Sequence, residues 1–333
     1  MKKSHSHSTM RILIAEALLL LPLLTLSASP VGAQPYPHRA LRVVVPYPPG
    51  GPTDIIGRAI AQKLSGQFAQ SVIVDNRPGA AGTIGAEQVA RAPGDGYTLL
   101  WGTPGTHAIA PSLYPKLPYD PVKDFSPVTL VALGTNVLVI HPSVPASSVK
   151  EFIALARSRP GKLSFSSAGS GATSHMAGEM LKVMSGIDML HVPFKGASPA
   201  IIALLSGQVD AAILDIPALL PHIRSGKLRA LAVASEHRST VLAQLPTLRE
   251  SGLPQYSASS WHGLFAPANI APEIVSTLFQ STKKILMLPD INEKLTTQGV
   301  EPVGNTPAEF TLFLREETLR WAQVAKLSHA RVD

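Results

Sequence analysis

The chain contains no cysteine. That excludes a disulfide framework, a lipid-anchoring cysteine, a thiolate nucleophile and a thiolate metal site. Aromatic residues make up only 5% of it, and its lysines and arginines form no basic run. Nucleic acid, which needs basic patches interleaved with stacking platforms, is therefore not an expected partner. The apolar run Leu18–Leu26 is broken by Pro22 and preceded by Glu16, and it falls short of the roughly 20 residues a membrane span requires.

What that run does fit is an export signal. Lys2, Lys3 and Arg11 precede it, and the small residues Val31, Gly32 and Ala33 follow, the layout of a cleaved leader. Residues 1–33 are therefore set aside from the fold, with cleavage expected near Ala33 and a periplasmic destination; Met10 is a second candidate start. Loss of the leader's charges reduces the formal charge of +7 to a modest positive excess, compatible with small anions. About 300 remaining residues exceed what one core organises, which predicts two domains.

A repeated order of parts organises the chain. In the first half, strand 41–45 leads through "PYPPGGPTD" to a helix over 54–64 ending near Ser65-Gly66. Strand 71–75, a helix over 83–91 and strand 97–101 follow. In the second half, strand 163–166 leads through "SAGSGATSH" to a helix over 174–184. Strand 189–192, a helix over 199–205 and strand 209–214 follow. Each half reads βαβαβ, the pattern of a parallel sheet with helices on its faces. Ala177, Met180, Leu181 and Met184 fall at i, i+3, i+4 and i+7, a core-facing stripe. The apolar segments 125–142 and 228–234 are expected to cross between domains, giving boundaries at 34–134, 135–230 and 231–333. Strand Trp261–Pro267, a helix from Pro272 and a last amphipathic helix from Pro307 complete the chain. The expected fold is a two-domain α/β clamshell, with a mixed, mostly parallel sheet in each domain and two crossovers.

Ligands of open α/β sheets sit beyond the carboxyl ends of the strands, so the two glycine turns should face one another. A helix N-terminus offers unpaired N–H groups and a favourable dipole to an anion. Gly50, Gly51, Gly169 and Gly171 permit close approach there. The plain alternative is a tight turn capped by Thr53 or Asp54, and by Thr173 or Ser174. Neither turn carries a P-loop lysine, and "GSGATS" is an imperfect dinucleotide fingerprint. Further candidates are Tyr47, Thr103, Thr106 and His107 in the first half, and Ser167, Ser170, Thr173, His175 and Asp215 in the second. Asp54 and Asp215 serve either as caps or as acceptors for a ligand ammonium. His175 and Glu179 stand four apart but lack a second histidine for a metal. No G-x-S-x-G elbow surrounds a serine. No metal, cofactor or catalytic residue is expected.

The segments "VPYPPGGPTDIIGR", "VDNRPGAAGTIGAEQVARAPGDGYTLL", "SSAGSGATSHMAGEM", "HVPFKGASPA", "GQVDAAILD" and "EETLRWAQV" resemble, in order, those of Bug-type extracytoplasmic solute receptors of the tripartite tricarboxylate transporter family. The resemblance implies a Venus-flytrap receptor that captures a small carboxylate, or a related organic solute, and presents it to membrane permease subunits. It points to Tyr47, Gly50, Gly51, Thr53 and Asp54, to Gly169, Ser170, Gly171, Ala172, Thr173 and His175, and less directly to Asp215. Phe194, where the family often has tyrosine, and Ala203, near which it often has an acidic residue, depart from the pattern. A sensor that signals to a partner protein and a periplasmic hydrolase using Ser174 or His175 are the alternative readings. A monomer is the expected state.

Overall fold

The structure, a computed structural model, describes residues 35–332, and the expected leader lies outside the described residues. The compact unit begins at Arg39. Strand β1 (Leu41–Val45) is nearly all buried, as a central parallel strand must be. It leads into helix α1 (Pro52–Phe68), which starts with proline at its first position, where a fixed φ and a missing N–H do no harm. The helix runs past Gly66, its expected end, because Ser65 Oγ donates to Ala61 O and accepts from Val72 N. Strand β2 (Val72–Asn76), helix α2 (Thr83–Ala90) and strand β3 (Thr98–Gly102) complete the first βαβαβ unit. A short π-helical turn, Gly105–Ile109, leads into α3 (Ala110–Leu113).

The chain then crosses. Strand β4 (Phe125–Gly134) belongs to one sheet and β5 (Asn136–Ile140) to the other, so the chain makes its first crossing at Thr135. Helix α4 (Val149–Ser158), capped by Ser148 accepting from Glu151 N, precedes β6 (Ser164–Ser167). Helix α5 (Thr173–Ser185), β7 (Leu190–Pro193), α6 (Ala197–Leu205) and β8 (Ala211–Asp215) form the second βαβαβ unit. Helix α7 (Ile216–Arg224) and β9 (Arg229–Val233) follow. The chain returns through 234–259 to β10 (Ser260–Pro267), then α8 (Pro272–Leu286), α9 (Pro289–Thr296), β11 (Val300–Pro302) and α10 (Pro307–Ser328). Among the described residues no helix is long and apolar enough to cross a membrane.

The strand orders are β11-β4-β10-β3-β1-β2 and β7-β6-β8-β5-β9. Both sheets are mixed, but less parallel than expected. β1 pairs in parallel with β2 and β3, and β6 with β7 and β8, while every strand that serves a crossing joins antiparallel. A strand that leaves a sheet through a hinge must be matched by one running back. Segment 228–234 is consequently not a free crossing: β9 is bonded into the second sheet against β5, and the second crossing lies beyond it. Helices α4, α7 and α9 and strand β11 are elements that the sequence pattern did not disclose.

Behind β10 the core is aromatic. Trp261 packs edge-on to Phe310 and Phe313, and Phe265 sits against Phe310. Buried Glu317 on α10 accepts from the indole Nε1 of Trp261 at 2.9 Å and of Trp321 at 3.1 Å, and pairs with Arg320. Its burial raises its pKa against the pull of Arg320. Glu317→Ala is expected to strand two buried N–H donors, at about 1–3 kcal/mol each, and to lower the melting temperature sharply. Glu317→Gln, which keeps an acceptor oxygen, should recover part of the loss in the same thermal melts.

Candidate functional site

A cleft of about 110 Å³ lies between the two sheets. Helix N-termini surround it. From the first lobe comes the start of α1, with Gly51, Pro52 and Thr53 at the wall. From the second come the start of α5, with Ala172, Thr173 and Ser174, and the start of α6, with Gly196, Ala197 and Ser198. The N-cap residues are Gly51, Ala172 and Gly196, and none makes a side-chain capping bond. The N–H groups of the first turns, from Thr53 in α1 because Pro52 has none, from Thr173 and Ser174 in α5 and from Ala197 and Ser198 in α6, lie at the cleft wall without intrahelical partners. The expected caps are corrected here: Asp54 and Ser174 bond backbone upstream of their helices, as Gly50 N donates to Asp54 Oδ2 and Ala168 N to Ser174 Oγ, each at 2.9 Å.

Asp54 is 3% exposed and does not line the cleft. Besides Gly50 it receives Arg58 Nε at 2.9 Å and Asn76 Nδ2 at 2.8 Å, and Asn76 also donates to Tyr47 O. Burial alone would raise its pKa, but these bonds outweigh it and hold the carboxyl below its ordinary value. Asp54 is the fastener of the first glycine turn. Gly50, with φ +79°, makes the bend, is exposed and does not line the cleft.

Tyr47 and Thr103 do reach the cleft. The Tyr47 hydroxyl donates to Ala81 O, 3.1 Å away, and shares a 3.1 Å bond with Thr103 Oγ1; burial pushes its pKa up to about 12. Thr106 and His107 lie beneath instead. Thr106 Oγ1 is bonded within its own turn, and the His107 ring stacks on Phe265 at 3.9 Å, buried enough to lower its pKa to about 3. Neither meets a cleft ligand, because the π-helical turn after β3 rolls both side chains into the core.

In the second lobe, Ser167 is buried and bonded to His191 Nε2 at 2.6 Å. His175 accepts from Gly171 N at 3.1 Å and stacks on His191, and burial lowers its pKa to about 4. Like Asp54, it braces a turn from behind. Gly169 and Ser170 line an adjoining groove of about 640 Å³ that shares Tyr47, Pro48, Ala168 and Gly196 with the cleft and is also lined by Phe194, Lys195 and the loop 78–82. Gly171 lies behind the cleft wall, with the Ala81 Cβ 3.2 Å from where a side chain on it would begin. Ala203 is in the second core, far from any ligand role.

The floor consists of the crossings. Asn136 Nδ2 donates to Ala258 O at 2.7 Å, and Ala258 N to Ala234 O at 2.9 Å. Ser260 Oγ, at the end of the second crossing, donates to Asp215 Oδ1. Burial raises the Asp215 pKa to about 6 against that bond. Asn136, Ser260, Trp261 and His262 all line the cleft and escaped the sequence reading, as did Gly196. Only Gly196 carried a signal, the same strand, glycine and helix order as the other two turns. No lysine or arginine lines the cleft, and no cluster able to hold a metal occurs among the described residues.

Over residues 56–328 the chain matches the family model described as tripartite tricarboxylate transporter family receptor. It is 38% identical over 306 residues to Protein BugT of Bordetella pertussis, covering 92% of this chain and 94% of that protein. Two solved structures from Rhodopseudomonas palustris are similar in fold. One, R. palustris Rpa4515 with adipate, has a TM-score of 0.86 and 38% identity, covering 89% of this chain and all of the other. The second, MatC (Rpa3494) with bound malate, has a TM-score of 0.82 and 36% identity, covering 87% and 99%. The structure of periplasmic binding protein BugD, at a TM-score of 0.84, shares the same two-lobed architecture. A likeness running from the first helix to the last, through both sheets and the cleft between them, settles the lineage: the chain belongs to the tripartite tricarboxylate transporter receptor family of solute-binding proteins.

Proposed function

We propose that this receptor captures a small organic carboxylate in the periplasm, without turnover, and delivers it to the permease subunits of a tripartite tricarboxylate-type transporter. The observation that carries the reading is the convergence of three uncapped helix N-termini on a cleft without a basic side chain. Each N-terminus contributes up to about 2 kcal/mol to a bound anion in buried geometry. Three approach the roughly 8 kcal/mol of micromolar binding, where two fall well short. The adipate and malate carried by the two similar receptors are ligands of this chemistry. The hydrolase reading loses its residues, since Ser174 and His175 are each bonded to turn backbone and not to one another.

The moving bodies are the lobes organised by the two sheets, 39–134 with 260–332 against 136–233. The capture step is closure about Thr135 and the 234–259 return, a two-state equilibrium biased by contacts that only the closed form makes. Pro48 already sits against the Gly196 turn, its Cγ 3.1 Å from where a Cβ would be.

Calorimetry on the purified mature protein should find micromolar or tighter binding of a di- or monocarboxylate. Binding confined to neutral or cationic solutes would overturn the reading. Thr173→Pro tests the helix N-terminus directly. Ala172 is already extended (φ −71°, ψ 159°), as the residue before proline must be, and proline is tolerated at the first helical position. The variant should keep its melting temperature and lose about 10- to 100-fold in carboxylate affinity, the worth of a hydrogen bond to a charged group. A side chain at Gly196 would meet Pro48 of the other lobe, whose Cγ is 3.1 Å from its Cβ position, so Gly196→Val is expected to hold the lobes apart. It should weaken binding and raise the radius of gyration in ligand-saturated scattering.

The pH dependence follows from Asp215. Its ionisation above about pH 6 adds negative charge beside the ligand, so affinity for a simple monocarboxylate should fall as pH rises from 5 to 7.5. Tyr47 and His262, the other titrating groups at the cleft, change charge near 12 and 4, outside that window. Asp215→Asn should flatten the profile measured by calorimetry.

A further inference from the structure

The strand orders place the crossings and the lip of the clamshell at opposite edges. Strands β4 and β10 in the first sheet and β5 and β9 in the second serve the crossings, while β2 and β7 form the far edges. The groove of about 640 Å³ that adjoins the cleft is lined by the segments that follow those two edge strands, 78–82 after β2 and 193–196 after β7. It is the side farthest from the crossings, where lobes that close about them part most widely.

That lip is apolar apart from one charge. Pro46, Pro48, Pro78 and Phe194 are among its walls, and Lys195 is the only charged residue that lines it among those described. Lys195 is exposed, and among the described residues its ammonium has no ion pair or hydrogen bond. Its backbone is pinned on both sides, since Phe194 N donates to Ser167 O at 3.0 Å and Gly196 N to Ala168 O at 3.2 Å. The next residue, Gly196, is the N-cap of α6 and meets Pro48 of the other lobe. Lys195 therefore stands at the seam between the lobes, beside a helix N-terminus whose dipole adds to its charge. A single charge at a mouth with low-dielectric walls focuses its field on approaching ions.

We propose that Lys195 is a steering residue, which draws an anionic solute to the lip and makes no contact with it once it is bound in the cleft. This rests on the carboxylate reading and concerns the rate of capture, not the site of binding. Position is what separates the two. A cation inside the cleft would hold the anion and slow its release, whereas a charge at the rim acts on association and on its salt dependence. At about 10 Å in water one unit charge changes the encounter of a monoanion about 2-fold and of a dianion about 4-fold.

Stopped-flow tryptophan fluorescence on the mature protein at pH 7 reads both rate constants, with Trp261 in the cleft wall as a reporter. The probes are valerate with succinate and heptanoate with adipate, pairs of similar length that differ by one charge. At about 10 mM ionic strength, Lys195→Gln should lower kon about 2-fold for the monocarboxylates and about 4-fold for the dicarboxylates, with koff unchanged. Lys195→Glu should square those factors, Lys195→Arg should restore the original rates, and every difference should vanish near about 0.5 M salt. Thermal melts check that the variants fold, as an exposed side chain on a pinned backbone predicts. An unchanged kon overturns the proposal. A loss that is equal for one charge and two, or that survives high salt, marks a structural effect and overturns it as well. A change carried by koff makes Lys195 a contact of the bound solute and does the same, while carboxylate capture stands in all three cases. If none of the four acids binds, the carboxylate reading falls and the steering role with it.

Discussion

The structure depends on helices that begin without caps. A helix start normally recruits a serine, threonine or aspartate to satisfy its first amides, and α1, α5 and α6 do not. Their amides are left for whatever occupies the cleft. Leaving them exposed requires that the turns ahead of them be held by other means. Asp54 with Arg58 and Asn76 holds the first turn, and Ser174 with His175 holds the second. The polar residues nearest the glycines are thus engaged in shaping the wall, and the wall itself is backbone. Glycine and alanine at the cap positions keep side chains from covering it.

This arrangement explains why a cleft for anions has no arginine. A buried cation would have to be desolvated in the empty state and would leave an unpaired charge whenever the lobes opened. Backbone amides carry only partial charge, stay neutral, and are fixed by the sheets behind them. They suit a receptor that must release its solute as well as hold it.

The floor is where the two crossings meet. Asn136, Ser260 and Asp215 sit at the ends of strands that run into or out of the crossings, and the bonds between Ser260 and Asp215 and between Asn136 and Ala258 tie the crossings together. Trp261 lines the cleft and reaches back to Glu317 on α10, so the floor is braced by the aromatic core. The floor is therefore built from the segments that pass between the two sheets.

The sequence by itself determined the two βαβαβ units, the first crossing and the glycine turns. These are matters of local periodicity and of residue types with fixed backbone preferences. It located Tyr47, Gly51, Thr53, Thr103, Thr173 and Asp215 at the cleft, because each stands at the carboxyl end of a strand or the start of a helix, where topology directs the chain; Ala172 came from the family resemblance. Only the tertiary structure decided that Asp54, His107, Ser167 and His175 turn away. A one-residue rotation about a helix or a turn separates cleft from core, and partners distant in the chain, Asn76, Phe265 and His191, select between them. The same holds for Asn136, Ser260 and His262. Nothing in their local sequence marks them, and they become cleft residues only because two crossings more than a hundred residues apart close into one floor.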